Sequence, residues 1–247
     1  MTRGTVHVWT VSLDADAGRV PSLLNLLSGD ERVRAARLRT TEMRVRFVVA
    51  HGALRAILSR YLDTEPSAIR IQATALGKPF VADTPVSFNL SHSDALAVCA
   101  VTANAQIGID VERVRPVDDA DSIVARYFAA AEAKQYAAFD QAERPAVFFS
   151  TWTRKEAFLK ATGMGLQQPL DSFEVDGAPA VTSPRLLIAS GAQDAGAWHL
   201  RAFVPRAEYV GAVALDREID TLEFFSWSDS DAYTSVQPFS PSREIRT

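Results

Sequence analysis

The sequence holds a single cysteine, Cys99, among its 247 residues. One thiol excludes an intrachain disulfide framework, which favours a reducing compartment and a cytoplasmic protein. The chain also lacks any apolar run of membrane-spanning length, and no charged and then apolar segment opens it, so neither a membrane span nor a secretion signal is predicted. Basic residues (26) are fewer than acidic ones (30). The resulting net charge of −4 argues against a general nucleic-acid binder.

Several common functional motifs are absent as well. No Gly-x-x-x-x-Gly-Lys-Ser/Thr loop and no Gly-x-Gly-x-x-Gly run occurs, which argues against a P-loop nucleotidase and a typical dinucleotide binder. The four histidines show no metal-ligand spacing, so a zinc site is not predicted. Ser91, His92 and Asp94 are near neighbours in the chain and no nucleophile elbow surrounds them, so they do not indicate a Ser-His-Asp hydrolase.

The periodicity that is present predicts an α+β protein. Residues 5–13 alternate as in a half-buried strand, and 42–62 and 145–163 have the apolar spacing of long helices. Each long helix is followed by short predicted strands, and the strands near 95–102 and 209–215 resemble each other. We therefore expect two pseudo-symmetric lobes, each a long helix packed on a small, mostly antiparallel sheet. The expected bounds are 1–105, 106–227 and a loose tail over 228–247.

Two acidic stretches carry the candidate chemistry. Asp110 and Glu112 are two residues apart in a predicted strand, so they point to the same face. Glu156 and Lys160 are four apart in the second long helix and share one face; by itself this is the pattern of a surface ion pair. Three carboxylates without a His or Cys cluster favour Mg²⁺, which completes its coordination with water and substrate phosphate. These residues indicate a Mg²⁺-dependent enzyme acting on a phosphate ester or anhydride.

The same motifs resemble a known family. Gly108-Ile-Asp-Val-Glu112, followed by Trp152-Thr-Arg-Lys-Glu-Ala-Phe-Leu-Lys160, is similar to the signature of 4′-phosphopantetheinyl transferases. Gly77-Lys-Pro79 and Phe88-Asn-Leu-Ser-His-Ser93 also match, in the right order. The length and the two predicted lobes resemble the monomeric, surfactin-synthetase-activating type. The resemblance covers roughly residues 1–215.

The resemblance implies transfer of phosphopantetheine from coenzyme A to a serine of a carrier protein, with release of adenosine 3′,5′-bisphosphate. Glu132 would deprotonate that serine, although its position also suits a glutamate that only stabilises a helix N-terminus. His92, which alone reads as a structural histidine, would lie near the 3′-phosphate. The implied metal ligands are Asp110, Glu112 and Glu156; the phosphate-binding and charge-stabilising lysines are Lys155 and Lys160; the nucleotide half would contact Arg34, Arg46, Lys78, Ser91 and His92. Glu31 stands where some members have a lysine, which weakens the expectation that Arg32 and Arg34 contact phosphate.

The implied partners are coenzyme A and an acyl or peptidyl carrier protein of peptide, polyketide or fatty-acid synthesis. Mg²⁺ is the expected cation, with Mn²⁺ as a substitute, and the internal duplication favours a monomer without membrane or nucleic-acid partners. Two other functions remain open at this point. One is a non-catalytic module that binds coenzyme A or a carrier protein, and the other is a Mg²⁺-dependent phosphohydrolase.

Overall fold

The computed structural model describes residues 4–14, 17–188 and 198–228. Within them the chain forms six α-helices and eleven strands. The helices are α1 (Val20–Leu26), α2 (Gly29–Ala36), α3 (Thr41–Leu62), α4 (Ala120–Tyr127), α5 (Ala130–Ala137) and α6 (Arg144–Thr162). The strands are β1 (Thr5–Ser12), β2 (Ile71–Ala73), β3 (Pro79–Val81), β4 (Val86–Ser93), β5 (Leu96–Ala103), β6 (Ile107–Arg113), β7 (Phe173–Val175), β8 (Leu186–Ile188), β9 (His199–Phe203), β10 (Tyr209–Leu215) and β11 (Thr221–Trp227). None of the described helices is long and apolar enough to cross a membrane.

Two β-sheets packed face to face form the centre of the molecule. The first has the order β11-β1-β5-β4 and the second the order β6-β10-β9. Because side chains alternate along a strand, one face of each sheet is available for the other: Val8 and Val98 of the first sheet share a core with Ile109 of the second. The outer faces are covered by helices, α3 on the first sheet and α6 on the second. The α+β fold of two similar lobes is therefore confirmed.

The two long helices lie almost where their periodicity predicts them. The Thr40 side chain accepts a hydrogen bond from the Met43 backbone N–H at the start of α3, and Asp63 ends that helix in the left-handed region with φ 48°. Gly163 ends α6 in the same way, with φ 72°. Both ends follow ordinary capping rules, which is why the sequence indicates them.

Gly108 decides how closely α6 approaches the second sheet. A Cβ atom at this position of β6 would lie 2.1 Å from the Ala157 carbonyl oxygen and 2.3 Å from the Ala161 nitrogen. Only glycine permits this contact between strand and helix backbones. The second long helix therefore lies directly over β6, with Glu156 and Lys160 near the carboxylates of that strand.

The last strand was not expected. β11 pairs in parallel with β1, with Val8 opposite Phe224, so this segment of the expected 106–227 lobe extends the sheet of the first lobe. Parallel strands require a long crossover, and no short-range pattern in the sequence reports such a distant partner. The predicted tail lies, apart from Ser228, outside the described residues.

The polar stretch around Ser91 and His92 does not form the turn that its composition resembles. Both residues lie inside β4, which pairs with β5 up to Ser93. The turn comes afterwards, at Asp94, whose φ is 49°. The polar residues at 89, 91 and 93 alternate with Leu90 and His92, and period-two alternation is a strand signal. The polar side chains are explained by their contact with β6, which is described next.

Candidate functional site

The candidate site forms where β4, β6 and α6 meet. β4 and β6 are edge strands of different sheets, and side chains of β4 bridge them. The Asn89 Oδ1 atom accepts a hydrogen bond from the Ile109 backbone N–H at 2.9 Å. Ser93 Oγ accepts one from the Arg113 backbone N–H at 3.2 Å. These bonds fix the register of the two strands, and so they place Ser91 opposite the acidic residues of β6.

Asp110 is the most buried carboxylate of this site, with 4% of its surface exposed. Its Oδ1 atom accepts hydrogen bonds from Ser91 Oγ at 2.7 Å and from Lys160 Nζ at 2.6 Å. Lys160 Nζ also donates to Ser91 Oγ at 3.1 Å. The three side chains therefore form a closed polar cluster in which the ammonium compensates the buried carboxylate.

The other oxygen of Asp110, Oδ2, is buried and has no hydrogen-bond partner among the described residues. An unpartnered buried carboxylate oxygen is costly. Glu112 and Glu156 lie near enough to feel the same charge. Burial raises the pKa of both glutamates, and the negative charge of Asp110 raises each pKa further. The cluster thus concentrates negative charge that a cation would relieve.

These residues suit a hard divalent cation. The donors are carboxylate oxygens, and Asp110 has a buried oxygen without a partner among the described residues. The negative charges of Asp110, Glu112 and Glu156 repel one another, and a bound cation would remove that repulsion. Nevertheless, no group of three or more His, Cys, Asp or Glu side chains within the described ranges is already arranged as a metal-binding cluster. One oxygen of Asp110 is held by the Lys160 ammonium, and one oxygen of Glu112 by the Ser93 hydroxyl. The chemistry of the donor set fits Mg²⁺ or Mn²⁺ without selecting between them.

A cavity of about 300 Å³ opens beside this cluster. Glu156 and Lys160 line one side, and the loop that carries Lys78 lines the other. The Lys78 ammonium donates to the Ala161 carbonyl at 2.5 Å. Burial lowers its pKa to about 8. The structure therefore brings Lys78 to the site from a different part of the chain. The remaining lining residues are Leu76, Gly77, Pro79, Asn89, Leu90, Leu159, Gly163 and Gly165.

His92 lies on the exposed side of β4, among basic residues. Desolvation lowers its pKa, and the positive charges of Lys160, His51 and Arg34 lower it further. Arg34 lies 5.3 Å from the centre of the Phe47 ring, and the same ring stacks on His51. Arg34 and Lys160 therefore contribute to one positively charged region, and His92 lies within it.

Arg46 is engaged differently. Its guanidinium forms ion pairs with Asp14 at 3.2 Å, Glu42 at 3.0 Å and Asp94 at 3.2 Å. Asp94 also pairs with Arg113 at 2.7 Å. Arg46 lies at the edge of the site, but these carboxylates already surround its charge.

Glu132 and Lys155 bind each other and do not line this cavity. They form a salt bridge of 2.8 Å whose side chains are 1% and 0% exposed. Lys155 Nζ also donates to the carbonyl oxygens of Leu170 and Phe173, and Glu132 accepts from the backbone N–H groups of Ala129 and Val175. Neither side chain has a free face for a substrate. The structure thus pairs Glu132 with Lys155, and a general base at Glu132 and a phosphate contact at Lys155 stay predictions.

Glu31, the residue that departs from the resemblance, has a structural role. Its carboxylate accepts from Arg55 Nε at 2.6 Å and from the Ser28 backbone N–H at 2.9 Å, and it contacts His51 Nδ1 at 3.2 Å. Ser28 and Glu31 form a capping box. The Ser-x-x-Glu spacing could have indicated this from the sequence, whereas no local pattern indicates the pairing with Arg55.

Comparison with known proteins gives the family. A family model described as the 4′-phosphopantetheinyl transferase superfamily matches residues 106–214. 4′-Phosphopantetheinyl transferase HetI of Nostoc sp. is 39% identical over 85% of this chain and 87% of its own length. 4′-Phosphopantetheinyl transferase Sfp of Bacillus subtilis is 32% identical over 65% and 73%. A putative 4′-phosphopantetheinyl transferase of Synechocystis sp. is 31% identical over 69% and 70%.

The matched region includes the β6 carboxylates and the α6 residues that meet them, and the similarity to HetI extends over most of the first lobe as well. The chain belongs to the 4′-phosphopantetheinyl transferase superfamily.

Proposed function

We propose that this chain transfers 4′-phosphopantetheine from coenzyme A to a serine hydroxyl of an apo carrier protein. The observation that carries the proposal is the cluster of Asp110, Ser91 and Lys160, with its unpartnered carboxylate oxygen, next to Glu112, Glu156 and the cavity. A cation and an ammonium beside one cavity suit a pyrophosphate, because that group carries adjacent negative charges. Membership of the superfamily supports the same reaction.

The residues of the cleft divide the binding of coenzyme A between them. Lys160 would contact the pyrophosphate, while Lys78, His92 and Arg34 would contact the nucleotide half. Arg46 would join them only by exchanging a carboxylate partner for phosphate, since its ion pairs already occupy it. Asp110, Glu112 and Glu156 would hold Mg²⁺, or Mn²⁺ in its place. That cation neutralises pyrophosphate charge when it is bound.

The chemistry is a displacement at phosphorus. The serine oxygen forms a bond to the phosphorus that carries pantetheine, the anhydride P–O bond to the adenosine half breaks, and adenosine 3′,5′-bisphosphate leaves with the negative charge. The Lys160 ammonium stabilises that charge. The serine proton requires a carboxylate that faces the cleft. Glu156 is only partly buried and lines the cavity, so the oxygen of its carboxylate that does not bind the cation would accept this proton.

In this proposal the salt bridge between Glu132 and Lys155 supports the reaction indirectly, by holding α6 in position. Lys155 ties α6 to the carbonyl oxygens of Leu170 and Phe173, and Glu132 ties α5 to the Val175 backbone. Together they hold α6, and thereby Glu156 and Lys160, in place.

We also expect a monomer, because both lobes that enclose the cleft come from one chain; light scattering during size-exclusion chromatography measures this directly.

Intact-mass spectrometry tests the proposed reaction. An apo carrier protein incubated with the enzyme, coenzyme A and Mg²⁺ should gain the mass of one phosphopantetheine, and a chelator should abolish the gain. The Asp110→Ala variant should remain folded and lose at least about 100-fold in rate, whereas the control Glu218→Ala, which changes an exposed glutamate outside the cleft, should behave as wild type.

The other candidate functions give different results in the same assay. Binding of coenzyme A without a mass gain on acyl and peptidyl carrier proteins would favour a non-catalytic module. Phosphate release without a carrier protein would favour a phosphohydrolase. Full activity of the Asp110→Ala variant would contradict the metal assignment.

A further inference from the structure

Ser93 makes two hydrogen bonds that no step of the proposed reaction uses. Its Oγ atom donates to Glu112 Oε2 at 2.5 Å and accepts from the Arg113 backbone N–H at 3.2 Å. A serine hydroxyl has one proton to donate. Because the backbone N–H supplies the bond that Ser93 accepts, the single proton is directed at the carboxylate. With 8% of its surface exposed, Ser93 has little water to compete for this bond.

The same arrangement occurs two residues earlier on the strand. Ser91 Oγ donates to Asp110 Oδ1, so alternate serines of β4 each hold one oxygen of alternate carboxylates of β6. In both cases the second oxygen is left over. Asp110 Oδ2 is buried without a partner, and none of the described residues donates a hydrogen bond to Glu112 Oε1. Arg115, the other charge near Glu112, lies 3.8 Å from the same Oε2 atom.

We propose that Ser93 is a positioning residue that turns Glu112 so that its Oε1 atom faces the divalent cation. Removing a group that orients a metal ligand typically weakens metal binding by about 10–100-fold. A glutamate has three rotatable side-chain bonds, and without an anchor its carboxylate loses the fixed direction that ligation requires. This inference rests on the proposed function, because it assumes that Glu112 is a ligand.

Electron paramagnetic resonance of Mn²⁺ tests the proposal without relying on turnover. The wild type and the Ser93→Ala variant are titrated with Mn²⁺, with and without coenzyme A and in the absence of carrier protein. We expect Ser93→Ala to bind Mn²⁺ about tenfold more weakly and to need a correspondingly higher Mn²⁺ concentration for half-maximal transfer. The Ser93→Thr variant keeps the hydroxyl and should restore both values to within about threefold.

The control is Ser87→Ala, which removes the same group from the same strand outside the polar contact with β6. It should leave Mn²⁺ affinity unchanged, and thermal unfolding of each variant reports any general loss of stability. Equal Mn²⁺ affinity of Ser93→Ala and wild type would overturn the inference, as would a loss that Ser93→Thr does not restore. Ser93-dependent Mn²⁺ binding by a protein that modifies no carrier protein would support the inference and contradict the proposed function. Unchanged Mn²⁺ affinity of Ser93→Ala in a protein that does modify a carrier protein would overturn the inference alone.

Discussion

The Glu31 carboxylate joins α2 to α3 through Arg55, and its ionisation matters for stability. Burial alone would raise the pKa of Glu31, but hydrogen bonds from His51, the Ser28 backbone and Arg55 lower it to about 2 from an ordinary value of 4.5. A carboxyl group whose folded pKa is depressed stabilises the fold above its unfolded pKa and loses that contribution as the pH falls through the folded pKa. The window here runs from 4.5 down to about 2.

We therefore expect Glu31→Gln to lower the free energy of unfolding by about 1–3 kcal/mol at neutral pH, since Arg55 loses a charged partner. The difference from wild type should narrow from about pH 5 down to about pH 2. Urea unfolding at several pH values measures both effects. The exposed neighbour Asp30→Asn is the control and should change stability by less than about 0.5 kcal/mol. A pH-independent difference would contradict the assigned role.

The buried pair of Lys155 and Glu132 gives a second prediction at this scale. Removing one partner leaves a buried charge uncompensated, so Lys155→Met and Glu132→Gln should each cost about 3–5 kcal/mol. The double variant should cost less than the sum, because neither charge is then stranded. Urea unfolding of the four proteins measures the coupling.

The activity of the fraction that remains folded separates a structural pair from a catalytic one. Below their unfolding temperatures these variants should keep transfer rates within about tenfold of wild type. A rate loss of about 100-fold or more with unchanged stability would instead support the catalytic assignment. The motif from Trp152 to Lys160 predicts both lysines, but spacing reports only the face of a helix. It does not report what packs on that face, and so the sequence could not separate Lys155 from Lys160.

At the scale of elements, the contact between β6 and α6 determines the site. α3 and α6 could be predicted to within about two residues, because strong periodicity and capping residues mark them. The bridging between β4 and β6 could not be predicted, since Asn89, Ser91 and Ser93 resemble a polar turn until their partners on another strand are known. The contact through Gly108 is equally non-local, although the glycine is part of the motif.

Gly108→Ala tests this contact. The added Cβ would overlap α6 backbone atoms, so the helix must move away from the strand, and such overpacking costs about 1–3 kcal/mol. Transfer should fall more than stability alone explains, because Glu156 and Lys160 move with the helix. Gly29→Ala is a matched control: a Cβ there meets nothing within 4 Å. Wild-type activity and stability of Gly108→Ala would contradict the proposed close approach.

At the scale of the whole molecule, the two lobes share strands and contacts and should unfold together. β11 follows the second sheet in the chain but pairs with β1 in the first. Its Phe224 ring lies 5.5 Å from the ring of Phe203 in β9, so the strand contacts both sheets. The sequence similarity of the lobes predicts their topology. It cannot predict that β11 joins the first sheet, because that pairing connects strands at opposite ends of the described chain.

We expect hydrogen-exchange mass spectrometry to give equal free energies of opening for peptides that cover β5 and β10, one from each sheet. Phe224→Ala should lower both values by about 2–3 kcal/mol, less than for a fully buried phenylalanine because Phe224 is half-buried. Phe80→Ala, at an exposed ring, should leave both unchanged. If Phe224→Ala lowered protection in β5 alone, the lobes would open independently. The cleft between them would then be a joint between two separate units. Equal loss in both strands means instead that the cleft is rigid and that ligand binding protects both sheets alike.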